Sequence, residues 1–373
     1  MSGCQTSRCL LGIHPTKHSF PPLHRPSHWL VGLMTRPACT VAAMLIGVLL
    51  AAPFPSTGET ARQFRIGTGG LSGVYHPIGK LIAQGITATV TGGKDAGKNE
   101  LGQHELVGVA QTSGGSVANA LALAGGEIEA GLIQADVAWW AFRGEGVFAG
   151  NERVRRIRAV ASLYPEKLQI VTRQDAGIRS VADFRGKRIS IDEVGSGSLM
   201  VMRSVLEAHN LSERDFSPVY LKPEFTIEKI RMSQLQGFVV MAGTPMEAVN
   251  RISDLGLFLV PIAPEVMQSI HARFPYLVPG EVAAGVYPGI PSTPTLQVHA
   301  LLAVNASMNE DVVYKITSAL WSESTLTAIQ NGHPQGKVVS LQTALNGISI
   351  PLHPGAERFY RERGLLSKET PAP

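Results

Sequence analysis

Four glycines fall within seven residues, Gly67, Gly69, Gly70 and Gly73, between a short apolar run from Phe64 and a helix-like apolar segment from Ile78 to Ile86. A strand feeding a glycine loop and then a helix turns backbone N–H groups and the positive helix end toward one space, which favours an anion. A tight strand-to-helix turn asks for the same glycines. The loop is not a dinucleotide fingerprint. Gly67 and Gly69 fit that pattern, but Ser72 stands at the third position and Gly73 comes one residue late. Gln111 and Thr112 occupy the end of the next strand, where the fingerprint needs an acid.

The same chemistry recurs at three more predicted strand ends. Gln111-Thr112-Ser113-Gly114-Gly115-Ser116 precedes a helix predicted from about Val117 to Ala124, and Gln134-Ala135-Asp136 precedes one to Phe142. Gly195-Ser196-Gly197-Ser198 precedes a helix from Leu199 to His209. Open α/β sheets bind ligands at the carboxyl ends of their strands, so four helix starts facing one crevice make a site for a carboxylate. Ser and Thr hydroxyls would give it direction. Ser116, Asp136 and Ser198 are each good N-caps as well. Taken singly each reads as a cap; taken together the four stretches read as a site.

Alternating elements must hold these loops in place. Strands are predicted at Leu106–Gln111, Ala130–Gln134, Ile157–Tyr164, Leu168–Thr172, Arg188–Ile191, Val219–Leu221, Phe238–Met241, Phe258–Ile262 and Val298–Val304, with helical patterns between most of them. That alternation indicates an α/β fold: two mainly parallel sheets with crossover helices and a ligand cleft between two lobes. The expected division is an extension over 1–58, a first lobe from 63–170 plus 299–373, and a second lobe from 171–298.

Composition narrows the function further. The chain has 373 residues, 44% apolar and 17% charged, as in ordinary globular proteins. Arg8, Lys17, Arg25 and Arg36 lie in the first 58 residues without any acid, so they account for the whole net charge of +4. The rest of the chain is balanced, which gives no reason to expect nucleic acid. Val41 to Ala52 is a 12-residue apolar core after Arg36, the pattern of a secretory signal and too short to span a bilayer comfortably. Translation is expected to start at Met34 and cleavage to fall before Glu59, with an uncleaved anchor as the alternative. Cys4, Cys9 and Cys39 all precede that core, so the mature chain would hold no disulfide, thiolate metal site or cysteine nucleophile. No H-E-x-x-H, G-x-S-x-G or Walker pattern occurs, so neither catalysis nor a metal or cofactor is expected.

The runs GTGGLSGVYHPIGKLIA, TSGGSVANALALAGGEIEAGLIQADVAWWAFRGEGVF, DFRGKRISIDEVGSGS, AGVYPG and IPLHPGAERFYRERG follow one another over about Phe64 to Gly364. Together they resemble the TAXI family, the secreted solute-binding subunits of tripartite ATP-independent periplasmic (TRAP) transporters. The resemblance implies a type II periplasmic-binding-protein fold, monomeric, closing on a small carboxylate or amino acid such as glutamate and docking on a membrane permease. Carried over by position, Gly69, Gly70, Gly73, Val74 and Tyr75 form the first wall of the site. Thr112, Ser113, Ser116 and Asn119 form the second, and Gln134 and Asp136 the third. Gly195, Ser196, Gly197 and Ser198 close over the solute. Ser233, Gln236 and Gly237 depart from the family's approach to the strand at Phe238, and His76 replaces a common Tyr. Arg143 and Lys222 are the cations to watch near the cleft. A secreted sensor signalling to a membrane receptor would share this fold and cleft.

Overall fold

The computed structural model describes residues 62–91 and 106–367. The expected secretory segment, with Met34, Glu59 and the three cysteines, lies outside the described residues.

Strand β1 (Arg62–Gly67) leads through the glycine loop into α1 (Tyr75–Thr91), followed by β2 (Leu106–Gln111), α2 (Ser116–Gly125), β3 (Ala130–Gln134) and α3 (Ala135–Arg143). Every residue of β3 is buried, as a strand covered on both faces requires. Ile78, Ile82 and Ile86 fall at helical spacing along α1 and all three are fully buried. Burying one such side chain is worth about 1.5–3 kcal/mol relative to exposing it.

The chain then passes along β4 (Ile157–Arg173) into a second set of elements: β5 (Arg188–Ser190), α4 (Gly197–Ala208), β6 (Ser217–Val219), α5 (Pro223–Arg231) and β7 (Gly237–Ala242). There follow α6 (Glu247–Asn250), β8 (Leu257–Leu259), α7 (Pro264–Arg273) and β9 (Val278–Val282). Strand β10 (Thr293–Asn305) returns to the first set, where α8 (Glu310–Leu320), α9 (Glu323–Gly332) and α10 (Pro354–Glu362) end the described chain. Both α8 and α9 pack on α1, and α10 packs on α8 and β4. The C-terminal segment thus completes the first half.

The strand order is β2-β1-β3-β10-β4-β7-β5-β6, with β8 added to β4 and β9 to β10. Within each half the outer strands run parallel, β2-β1-β3 on one side and β7-β5-β6 on the other. The centre is antiparallel: β10 pairs with β3 and β4, and β4 with β7. The two expected sheets are therefore hydrogen-bonded into one ladder through β4 and β10, each of which serves both halves. The two strands expected at Ile157–Tyr164 and Leu168–Thr172 are one strand of 17 residues. Pro165 interrupts no ladder here, because β7 joins β4 only from Lys167 onward and the proline lies just ahead of that pairing.

Candidate functional site

Loops from both halves wall a cavity of about 70 Å³ at the junction. Each water-sized occupant needs roughly 10–15 Å³ of such space, so the cavity suits a small solute. From the first half come Gly69, Gly70, Gly73 and Val74 of the glycine loop, Tyr75 at the start of α1, Ser116 at the start of α2 and Gln134 at the end of β3. From the second half, Ser196, Gly197 and Ser198 reach it at the start of α4.

The remaining residues expected at the site do not line the cavity. The Asn119 amide is fully buried and donates to the carbonyls of Thr68 (2.7 Å) and Leu132 (2.8 Å), tying the end of β1 to β3. The Ser113 hydroxyl donates to the Thr68 carbonyl (2.9 Å) and accepts from Gly115 N–H (3.0 Å), which holds the loop after β2 in shape. Thr112 is exposed to solvent. The Gly195 carbonyl accepts from both Val117 and Ala118 N–H at 3.0 Å, capping α2 from the opposite half. Asp136 is buried in the first turn of α3, and neither of its oxygens has a hydrogen-bond partner of good geometry.

A chain of hydroxyls links four elements at the floor. Tyr75 O–H donates to Glu166 Oε2 on β4 at 2.8 Å. Ser116 Oγ lies 3.3 Å from the Tyr75 hydroxyl and accepts from Gln134 N–H at 3.1 Å. Across the cavity, Ser196 Oγ caps α4 by accepting from Leu199 N–H at 3.1 Å, and Ser198 Oγ accepts from Met241 N–H at 2.9 Å. Gln134 is only 2% exposed, and its Nε2 has no partner. Its Oε1 is pressed against Gly197, where an added Cβ would lie 1.3 Å away, so any larger residue there forces the Gln134 side chain to move.

Carboxylates dominate the lining, and the sequence reading passed over them: Glu166, Asp192, Glu193 and Glu224. Burial pushes the Glu166 carboxyl well above the ordinary range; the Tyr75 hydroxyl pulls it back and nearby Asp136 pushes it further up. Burial raises Asp192 to about 7 against the opposing hydroxyl of Ser198 and amide of Glu193. Burial likewise raises Asp136 to about 7, the amides of Val137 and Asp136 offsetting part of the effect. Lys222 is the one basic residue among the described residues lining the cavity; it pairs with Glu193 at 3.2 Å and donates to the Ser113 carbonyl at 3.0 Å. Arg143 stays outside, paired with Glu145 and stacked over Trp139. Trp139 and Trp140 pack against Tyr276 and Phe274. Asp192 follows β5 at its carboxyl end, so the strand-end rule that found the serines would have found it too. Glu166 left only the signal of a lone acid within an apolar strand.

Fold and site together define a two-lobed α/β protein with a small, acid-lined cleft between its halves. Residues 66–364 match the model of the NMT1-like family, and the chain belongs to that family. Among solved structures it is similar to a protein of Bordetella bronchiseptica RB50, with 15% identity and a TM-score of 0.47 over 84% of this chain and 92% of that one. It is also similar to the periplasmic aliphatic sulphonate binding protein of Escherichia coli, at 13% identity and TM-score 0.38 over 83% and 95% of the two chains. A Salmonella typhimurium periplasmic binding protein with high arginine specificity matches at 12% identity and TM-score 0.40 over 73% and 99%. Those ligands belong to those proteins.

Proposed function

We propose that this protein is the secreted solute-binding subunit of a TRAP transporter. It captures one small amino-acid-like solute between its lobes in the periplasm and passes it, unaltered, to a membrane permease. The observation that carries this reading is the cavity itself. Strand-end loops of both halves enclose it, and the unpartnered Gln134 amide supplies a buried donor at its wall. A buried donor left without an acceptor costs about 1–3 kcal/mol, which a solute oxygen there would recover. The resemblance of the chain's motifs to the TAXI family supports the transporter class, and the apolar core at Val41 to Ala52 supports secretion. An amino acid would set its carboxylate toward the free Gln134 amide and its ammonium toward the acidic floor.

The test is native mass spectrometry of the purified protein for a carried solute, followed by thermal shift against amino acids. A solute that binds only the folded state raises the melting temperature. Copurification of an amino-acid-sized compound that also shifts the melt is the expected result. If none copurifies and nothing in the panel shifts the melt, the reading fails.

A further inference from the structure

We propose that the group this cleft selects on its solute is a positively charged nitrogen held by Glu166 and Asp192, so that amines are bound and acids lacking an amine are refused. This rests on the solute-capture reading above and names the class of solute. The features that promise an anion site in the sequence are occupied by the protein's own oxygens. In the glycine loop, Leu71 N–H and Ser72 O–H donate to the two oxygens of Glu224, at 3.1 and 2.8 Å. At the start of α2, Val117 and Ala118 N–H are taken by the Gly195 carbonyl. At the start of α4, the Ser196 and Ser198 hydroxyls face the Asp192 carboxylate.

What remains is a pair of buried carboxyls with no cation beside them. Lys222 is committed to Glu193, and Glu224 to the glycine loop. Glu166 and Asp192 both line the cavity and are buried, and neither forms an ion pair among the described residues. A buried carboxylate without a cation is costly, and a cationic ligand repays that cost where an anionic one adds to it. The free Gln134 Nε2 adds one donor for a neutral or charged oxygen on the same solute.

The inference fixes the direction of a pH dependence. Glu166 is faced by Tyr75, Tyr164 and Asp136; Asp192 is faced by Ser196, Ser198 and Glu193, with Lys222 and Glu224 also lining the cavity. Binding a cation requires the carboxyls to give up their protons, so affinity rises with pH up to neutrality. A ligand held through its own carboxylate would show the opposite slope.

The experiment compares three matched probe sets by thermal shift and calorimetry on the purified chain: L-amino acids, the corresponding amino-acid amides, and the corresponding 2-oxo acids. The amides keep the cation and neutralise the carboxylate; the 2-oxo acids do the reverse. The expected result is that for the best amino acid the amide binds within about tenfold, while the 2-oxo acid gives no shift. Glu166→Gln, which keeps the shape and the Tyr75 contact, is expected to weaken amine binding about tenfold to a hundredfold without lowering the melting temperature of the free protein. Binding of the 2-oxo acid with no binding of the amide overturns this inference and leaves solute capture standing. Silence from all three sets, with no copurifying solute, sinks both. Unchanged amine affinity in Glu166→Gln and in Asp192→Asn also overturns it.

Discussion

A single methyl group at residue 197 would displace the Gln134 side chain at the wall of the cleft. The Cβ of an alanine there would lie 1.3 Å from Gln134 Oε1, whose side chain is buried and has little room to yield. Gly197→Ala is expected to leave each lobe folded and to weaken solute binding about tenfold to a hundredfold, or about 1.4–2.8 kcal/mol. Calorimetry beside small-angle scattering checks this: parental affinity and compactness would show that Gln134 simply turns aside. The buried acids govern stability through pH. Asp136 and Asp192 hold their protons to about pH 7 in the folded chain, whereas ordinary aspartates ionise near 3.8. Between those values the folded state binds more protons than the unfolded one, so stability falls as pH rises through the window and levels off above it. Each unit of difference is worth at most about 1.4 kcal/mol per group. Asp183 and Asp215, held low by N-cap donors, act in the opposite sense at more acid pH, and His76, His299, His333 and His353, whose pKa burial lowers, act in the opposite sense below about 6.5. Urea unfolding of ligand-free parent and Asp192→Asn at pH 4.5, 6 and 7.5 isolates the contribution: the variant should gain stability relative to the parent as pH rises, and an unchanged difference across that range would refute the assignment. The glycines and serines of the site were readable in the sequence because each sits beside its own helix start. The pairing of Tyr75 with Glu166 was not, because the fold alone brings together residues 91 positions apart.

Helix α2 borrows its N-terminal cap from the opposite half of the molecule. Gly195 sits at φ +98°, a conformation that L side chains rarely adopt, and from there its carbonyl meets Val117 and Ala118 N–H. Gly195→Ala would strain that turn by about 1–2 kcal/mol and draw the carbonyl away from the helix. The expected outcome is faster solute release in stopped-flow displacement, with the unfolding transition of the open form close to the parent's; an unchanged release rate would show that the cap does not hold the lobes together. Elements with strong local patterns emerged from the sequence nearly intact: β3 is the predicted Ala130–Gln134, and α4 differs from its prediction by only a residue or two at each end. Strand β10 was recognised only from Val298, because its opening residues, Thr293-Pro294-Thr295, look like a loop when read without their partner β9. Helices α5 and α7 escaped because polar residues outnumber their buried apolar ones.

Delivery to a permease needs a surface that presents both lobes at once. Leu71, Val194 and Phe225 are 64%, 75% and 62% exposed, and each adjoins a residue that lines the cavity: Gly70, Glu193 and Glu224. Leu71 belongs to the first half and the other two to the second, so the three can be met together only while the halves are held close. Replacing all three by Asp is expected to abolish uptake in a reconstituted permease assay while solute affinity stays within about threefold of the parent. Full uptake by the triple variant would place docking elsewhere. Strands β4 and β10 set how such closure can occur. Their pairing carries register shifts between Ala300 and Leu301 and between Leu302 and Ala303, close to where Tyr164, Pro165 and Glu166 lie opposite. Irregularities of this kind bend the strand that carries them and increase its local twist. The chain crosses between halves along these two strands, so any opening of the cleft would have to be carried by β4 and β10 together. Glu166 is mounted on β4. A charge arriving at that carboxylate would therefore act on the very strand that joins the two halves.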